Sequence, residues 1–287
     1  MSIFFNNVTI IGVGLIGGSL ARAMKAKGLA GSITGGGRSR ATLEQALSLG
    51  VIDRIDQNPA YTVEDADLVV LATPVGMFEK IAHETGPRLK RGAILTDVGS
   101  VKGSLIKMIE GALAPGAHYV PAHPIAGREK SGVAESTDSL FRGRRCILTP
   151  TAKTDPGALE AVRDMWLAAG AEVNIMDAGL HDSVFAAVSH LPHVAAFAMM
   201  CAVSDLKTDS EDYVQFSGAG FRDFTRIAAS SPEMWRDICL MNGDNLIPMI
   251  DRYLASLHRF KQEIHDRDAA GLEQHLKSAS DARKRLG

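Results

Sequence analysis

Val8-Thr-Ile-Ile-Gly12-Val-Gly14-Leu-Ile-Gly17-Gly-Ser-Leu-Ala21 decides the fold of this chain. A short run of apolar β-formers leads straight into three glycines spaced G-x-G-x-x-G, and a helical pattern follows to Lys27. Gly12 permits a tight turn, Gly14 lets backbone approach a pyrophosphate, and Gly17 lets helix and strand pack closely. The unpaired N–H groups of the helix start then face the phosphates. Strand, glycines and helix in this order point to a bound dinucleotide, with Leu15 and Ile16 inside the loop counted among its contacts.

Outward from this loop, short apolar runs alternate with helical patterns. Further strands are expected at 32–34, 67–72, 93–96, 118–120, 145–149 and 172–175. Thr73-Pro74 closes the strand at 67–72 and is assigned to the cofactor's edge. Helices are expected at 41–49, 77–89 and 104–113, and Leu159, Val162, Trp166 and Ala169 mark one more. The rhythm predicts βαβ units, hence an α/β fold with a Rossmann-type, mostly parallel sheet. From about Gly179 the strand signals stop. Residues 184–205 read as an Ala- and Met-rich helix, and Ser230-Ser-Pro-Glu as a capped helix start. Ile250, Leu254, Leu257, Phe260 and Ile264 fall on one face of a long helix. The expected division is a dinucleotide-binding domain over 1–177 and an all-helical substrate and dimerisation domain over 178–287. Trp235 and the Met199-Met200 pair are expected in the core.

Composition narrows the function. The 287 residues are 46% hydrophobic and carry 31 Lys+Arg against 33 Asp+Glu, a net charge of −2, so no basic excess is available for a nucleic-acid backbone. No unbroken run of 18 apolar residues occurs, and a membrane span is not expected. Three scattered cysteines without a CxxC pair argue against a disulfide framework or a structural zinc site. The start, MSIFFNN, lacks the pattern of a signal peptide, and a cytoplasmic location is expected.

The type of dinucleotide is read at the end of the second strand, Gly35-Gly-Gly37-Arg38-Ser39-Arg40. NAD sites usually carry an acid there for the ribose 2′-hydroxyl. Gly37 stands in its place, and Arg38 and Arg40 with Ser39 suit a 2′-phosphate, so NADP is expected to be preferred, with NAD also possible.

Four further segments exceed what a scaffold needs: Thr96-Asp-Val-Gly-Ser100-Val-Lys102, His123-Pro-Ile-Ala-Gly127-Arg-Glu-Lys-Ser-Gly132, Ser189-His-Leu-Pro-His193 and Gly220-Phe-Arg-Asp-Phe-Thr-Arg226. The first two follow expected strands, where ligands of this architecture bind. A histidine beside a nicotinamide can take the proton of an alcohol whose carbon gives up hydride. His190 and His193 have no third ligand at suitable spacing, so no metal site is expected.

Together with the glycine loop, these segments resemble the prephenate/arogenate (cyclohexadienyl) dehydrogenases of tyrosine biosynthesis over nearly the whole chain. The resemblance implies oxidative decarboxylation of a cyclohexadienol. His123 matches the catalytic histidine, Ser100 a serine near the hydroxyl and nicotinamide, and Arg226 the arginine that grips a substrate carboxylate. Arg222 and His193 are implied in the same pocket, and Glu129 with Lys130 beside it. A homodimer through the helical part is implied as well. Arg128 departs from the small polar residue expected after HPIAG. Two other readings compete: another Rossmann dehydrogenase of the β-hydroxyacid type, and a dinucleotide-binding sensor without turnover. HPIAG and GFRDFTR speak against the first, and Ser100, His123 and Arg226 against the second.

Overall fold

The computed structural model describes residues 4–128, 130–206 and 212–286, and only the backbone of 59 and 60. The chain starts with β1 (Phe5–Ile11), α1 (Leu15–Ala26), β2 (Ala30–Gly36), α2 (Arg40–Ser48), β3 (Arg54–Asp56) and α3 (Pro59–Thr62). It returns through β4 (Leu68–Leu71), α4 (Phe78–Thr85), β5 (Ile94–Asp97), α5 (Gly103–Ala112) and β6 (His118–Val120). The six strands form one sheet in the order β3-β2-β1-β4-β5-β6, and every neighbouring pair is parallel. From β1 the chain steps outward to β2 and β3, then back across to β4. The carboxyl ends of β1 and β4 therefore flank the crevice at which such sheets bind ligands.

Burial on both faces explains the apolar runs. Along β4, Leu68 and Val70 enter a core shared with α1, α2 and the later Trp166. Val69 and Leu71 point the opposite way, into a core shared with α4 and α5. Both faces are covered, so these strands read as continuous rather than alternating apolar segments.

The remaining strands differ from the single-sheet expectation. Immediately after β6, β7 (Ala122–Pro124) pairs antiparallel with β8 (Arg145–Leu148), which pairs parallel with β9 (Glu172–Ile175) across α6 (Pro156–Ala168). Pro121 separates β6 from β7; it has no N–H for the first ladder, and the strand re-forms in a second, three-stranded sheet. His123 thereby sits within a strand, opposite Ile147, rather than in the loop after one. β3 escaped the sequence reading because Arg-Ile-Asp is too short and polar to signal a strand.

Among the described residues after β9, only helices follow: α7 (Ala178–Phe185), α8 (Leu191–Ser204), α9 (Ala219–Thr225), α10 (Pro232–Met241), α11 (Gly243–Asp266) and α12 (Ala269–Lys284). A π-helical turn over Ala186–His190 joins α7 to α8. Asp177 caps α7 through the amides of Gly179 and Leu180, and Ser231 caps α10 through that of Met234. Trp235 is buried as expected, but Met199 is exposed in the single chain. The apolar stripe of α11 is open too, with Leu254, Leu257 and Ile264 all exposed. Against expectation, one segment, Ala178–Ser204, is long and apolar enough to cross a membrane by length and composition, with a mean hydropathy of 1.6 in its most apolar window. Its polar residues His181, Asp182 and His190 are nevertheless buried within the protein.

Candidate active site

The glycine loop has the shape its sequence demands. Gly12 has φ +103°, and a Cβ there would lie 2.5 Å from the Ala72 carbonyl carbon. A Cβ on Gly17 would come within 2.3 Å of the Gly12 oxygen. Around Gly14, by contrast, nothing lies within 4 Å of a built Cβ, so the backbone is open to a ligand. Gly14 starts α1 without a side-chain cap, which leaves the helix N–H groups available. Leu15 and Ile16 pack their side chains on the core and are not among the residues that line the neighbouring cleft. A cavity of about 510 Å³ runs from Gly12–Gly14 past Thr73, Pro74 and Met77 to Gly37, Arg38, Ser39, Thr42 and Gln57. Its length, glycine floor and open helix terminus fit a dinucleotide.

The end of this cleft beside β2 is basic, but less so than the sequence suggested. Arg38 and Ser39 line it. Ser39 also caps α2, accepting from Thr42 N at 3.2 Å. Arg40 does not line the cleft: it lies on the exposed face of α2 and pairs with Glu44 at 2.8 Å, one turn along. Asp56 falls opposite Gly36 in the sheet but is absent from the lining, where Glu84 is the only acid.

The other half of the site joins the strand tips to the helical part. At the end of β5, Asp97 is fully buried and accepts from Gly99 N at 2.7 Å and from Tyr119 Oη at 2.7 Å. Lys102 Nζ pairs with its Oδ1 and donates to the Ala122 carbonyl at 2.6 Å. The lysine of the DVGSVK segment is thus an internal brace between β5, α5 and β7. Ser100 sits half-buried in the same loop.

His123, the residue after that braced carbonyl, has its Nδ1 2.8 Å from His181 Nε2 and packs its ring against Phe185. His181 Nδ1 in turn lies 2.8 Å from Asp182 Oδ1. Loss of water holds the His123 imidazole well below its usual range, and its charged form is disfavoured further by the neighbouring His181 ring, the Lys102 ammonium and His190. Burial pushes the Asp182 carboxyl up, but bonds from His181 and from the Gly103 and Lys102 amides outweigh it and hold it low.

A second cavity, of about 440 Å³, is lined by Gly127, Arg128, His193, Arg226, Ile227, Ala229 and Ser230. His193 is stacked on Trp235 with ring centroids 3.7 Å apart, and its Nδ1 meets the Ser189 carbonyl at 2.9 Å. Only its Nε2 is left for a ligand. Desolvation lowers the His193 pKa, although the Ser189 carbonyl opposes this, and nearby Arg226 lowers it further. Arg128 shares this cavity with Arg226, so the unusual residue after HPIAG adds a second cation there. Arg222 is not among its lining residues; it is exposed on α9, with Nε 3.4 Å from Ser217 Oγ. Glu129 lies outside the described residues.

Sequence reading missed His181, Asp182 and Asn242. Asn242 Nδ2 donates to the Asp182 carbonyl at 2.8 Å and meets His190 Nδ1 at 3.1 Å. The only hint was the adjacent pair His181-Asp182 early in an otherwise apolar helix, and its partner His123 lies 58 residues earlier.

The sheet order, glycine cleft and histidine-bearing strand tip define a Rossmann-type nucleotide-binding protein with a polar site shared between its sheet and its helices. Residues 20–175 match the prephenate dehydrogenase nucleotide-binding domain, and residues 177–278 the prephenate dehydrogenase dimerization domain. The chain is 38% identical to a cyclohexadienyl dehydrogenase of Zymomonas mobilis, covering 98% of this chain and 96% of that one. It is 34% identical to a prephenate dehydrogenase of Bacillus subtilis, over 98% of this chain and 76% of the relative. A crystal structure of Aquifex aeolicus prephenate dehydrogenase with hydroxyphenyl propionate and NAD+ superposes with a TM-score of 0.94 at 40% identity, over the whole of both chains. The chain belongs to the prephenate dehydrogenase family, which decides against the β-hydroxyacid alternative.

Proposed function

We propose that this protein oxidatively decarboxylates prephenate, arogenate or both, with His123 as the base. NAD(P), when bound, supplies the hydride acceptor. His123 takes the proton of the ring hydroxyl as hydride leaves the carbon that bears it. The ring carboxylate departs as carbon dioxide, and its bonding pair enters the ring, which becomes aromatic. Little is then required at the carboxylate beyond positioning and charge. Arg226 supplies a guanidinium fork for a carboxylate, with His193 beside it, and Ser100 borders the hydroxyl. What supports this reading most is the neutral His123 on β7, in the same chain segment whose next residues, Gly127 and Arg128, line a cavity with Arg226. The division near residue 177 and a homodimer through the helical part belong to the same proposal. The exposed stripe of α11, with Met199 on α8, gives such a dimer its apolar surface.

The test is a set of four assays, prephenate and arogenate each with NAD and with NADP, following the reduced cofactor. Turnover with at least one substrate is expected, and none in any of the four refutes the reading.

Preference for NADP is part of the proposal, resting on Arg38 at the cleft end and on the missing acid. Arg38→Ala is expected to lower kcat/KM with NADP about 10- to 150-fold, the value of a hydrogen bond to a charged group, and to leave NAD within a few-fold. A marked NAD preference in the unaltered protein would overturn it.

Arg226→Ala should raise KM for the substrate about 10- to 100-fold with kcat changed far less, because a carboxylate grip serves ground and transition states alike. An unchanged KM would remove Arg226 from the substrate site.

A further inference from the structure

The chain of contacts behind His123 has a direction that fixes where its protons lie. Asp182 accepts from two backbone amides at the start of α5, Lys102 N to Oδ1 at 2.9 Å and Gly103 N to Oδ2 at 2.7 Å. Backbone N–H groups only donate, so both oxygens accept, and these bonds together favour the ionised carboxylate and hold the group below its ordinary value. His181 Nδ1, 2.8 Å from Oδ1, must then carry a proton. A neutral His181 has its lone pair on Nε2, and that atom faces His123 Nδ1 at 2.8 Å. His123 must donate there, which leaves its Nε2 as the nitrogen able to accept a proton.

We infer that His181 and Asp182 are positioning residues that hold His123 in the tautomer with the proton on Nδ1 and the basic lone pair on Nε2. The inference rests on the reading of His123 as the base. The dyad also crosses the molecule, since it sits on α7 while His123 sits on β7. The helical part thus supplies the groups that orient a base carried by the sheet.

The surrounding charges favour this arrangement. His181, Lys102 and His190 act on His123, while Asp182, Lys102 and Asp97 act on His181. The Cys146 thiol on β8 and the Tyr119 hydroxyl are both pushed up by burial and remain neutral. Burial and the Lys102 charge lower His181 as well, against the pull of Asp182, so the two imidazoles rest neutral. Once Nε2 of His123 takes a substrate proton, the Asp182 carboxylate offsets the new charge through His181.

Asp182→Asn tests the direction of the chain. An amide can donate to His181 Nδ1, which would make His181 Nε2 a donor and force His123 into the opposite tautomer. The expected result is a kcat about 10²-fold lower with KM within about threefold, and an acid limb of the kcat profile moved to lower pH because an anion has been removed. His181→Leu should lower kcat similarly, while His181→Gln, whose side-chain oxygen can still accept from His123, should recover about 10-fold of the loss. In the unaltered protein, ¹⁵N shifts of the labelled imidazoles should report His123 protonated at Nδ1. Equal loss in His181→Leu and His181→Gln, an unmoved acid limb, or His123 protonated at Nε2 would each overturn the inference. If these variants keep full kcat while His123→Asn loses it, the dyad fails and the base stands. If His123→Asn also keeps kcat, the reading of the base itself fails.

Discussion

His123→Asn should lower kcat about 10²- to 10⁴-fold, the range that a positioned general base contributes, with KM changed no more than a few-fold. The expectation follows from what asparagine keeps and what it loses. Its amide is close in size to the ring and can still donate toward His181, so the packing at the tip of β7 survives. It has no basic nitrogen, and the hydroxyl proton has to leave to water instead. The pH dependence supplies an independent check. A base works in its unprotonated form, and burial, with the neighbouring His181, Lys102 and His190 disfavouring its charged form, holds His123 well below the ordinary imidazole value near 6.5. The kcat of the unaltered protein is therefore expected to stay level as pH falls through about 6.5 and to drop only at lower pH. In His123→Asn that limb should vanish. An unchanged kcat/KM, or a limb that survives the substitution, would remove His123 from the chemistry. Initial rates of cofactor reduction from pH 4 to 9 decide both.

Most of the sheet was legible because its strands obey local rules. The β1–loop–α1 unit announces itself through residues adjacent in sequence, and β4 and β5 through apolar runs that burial on both faces requires. What escaped depends on distant partners. Nothing local tells that Pro121 ends one sheet and that β7 opens another, because the partner strand β8 lies more than 20 residues on. Arg40 illustrates the same limit at the cofactor end: composition placed it beside Arg38, but helical spacing gave it to Glu44. The segments carrying Ser100, His123, His193 and Arg226 could be picked out in sequence, whereas the dyad behind His123 is a product of tertiary packing alone.

Lys102→Met should destabilise the folded protein by about 3–5 kcal/mol, the loss found when one partner of a buried ion pair is removed. Lys102 is 1% exposed and Asp97 is completely buried. Taking away the ammonium leaves the Asp97 carboxylate in the interior with only the Tyr119 hydroxyl and backbone amides as partners. The Ala122 carbonyl also loses its donor, one residue before His123. The deficit is therefore one of uncompensated charge more than of lost attraction, and this yields a sharper expectation. Asp97→Asn combined with Lys102→Met removes the stranded charge and should recover more than half of the loss. Urea unfolding at fixed protein concentration measures both, with the midpoint falling at an unchanged m-value for the single variant and rising again for the double. A double variant as unstable as the single would show that the brace works through geometry alone. Activity should follow a different order from stability. The double variant, although refolded, lacks the lysine that joins β5 to the carbonyl before His123, and its kcat should remain below that of the unaltered protein.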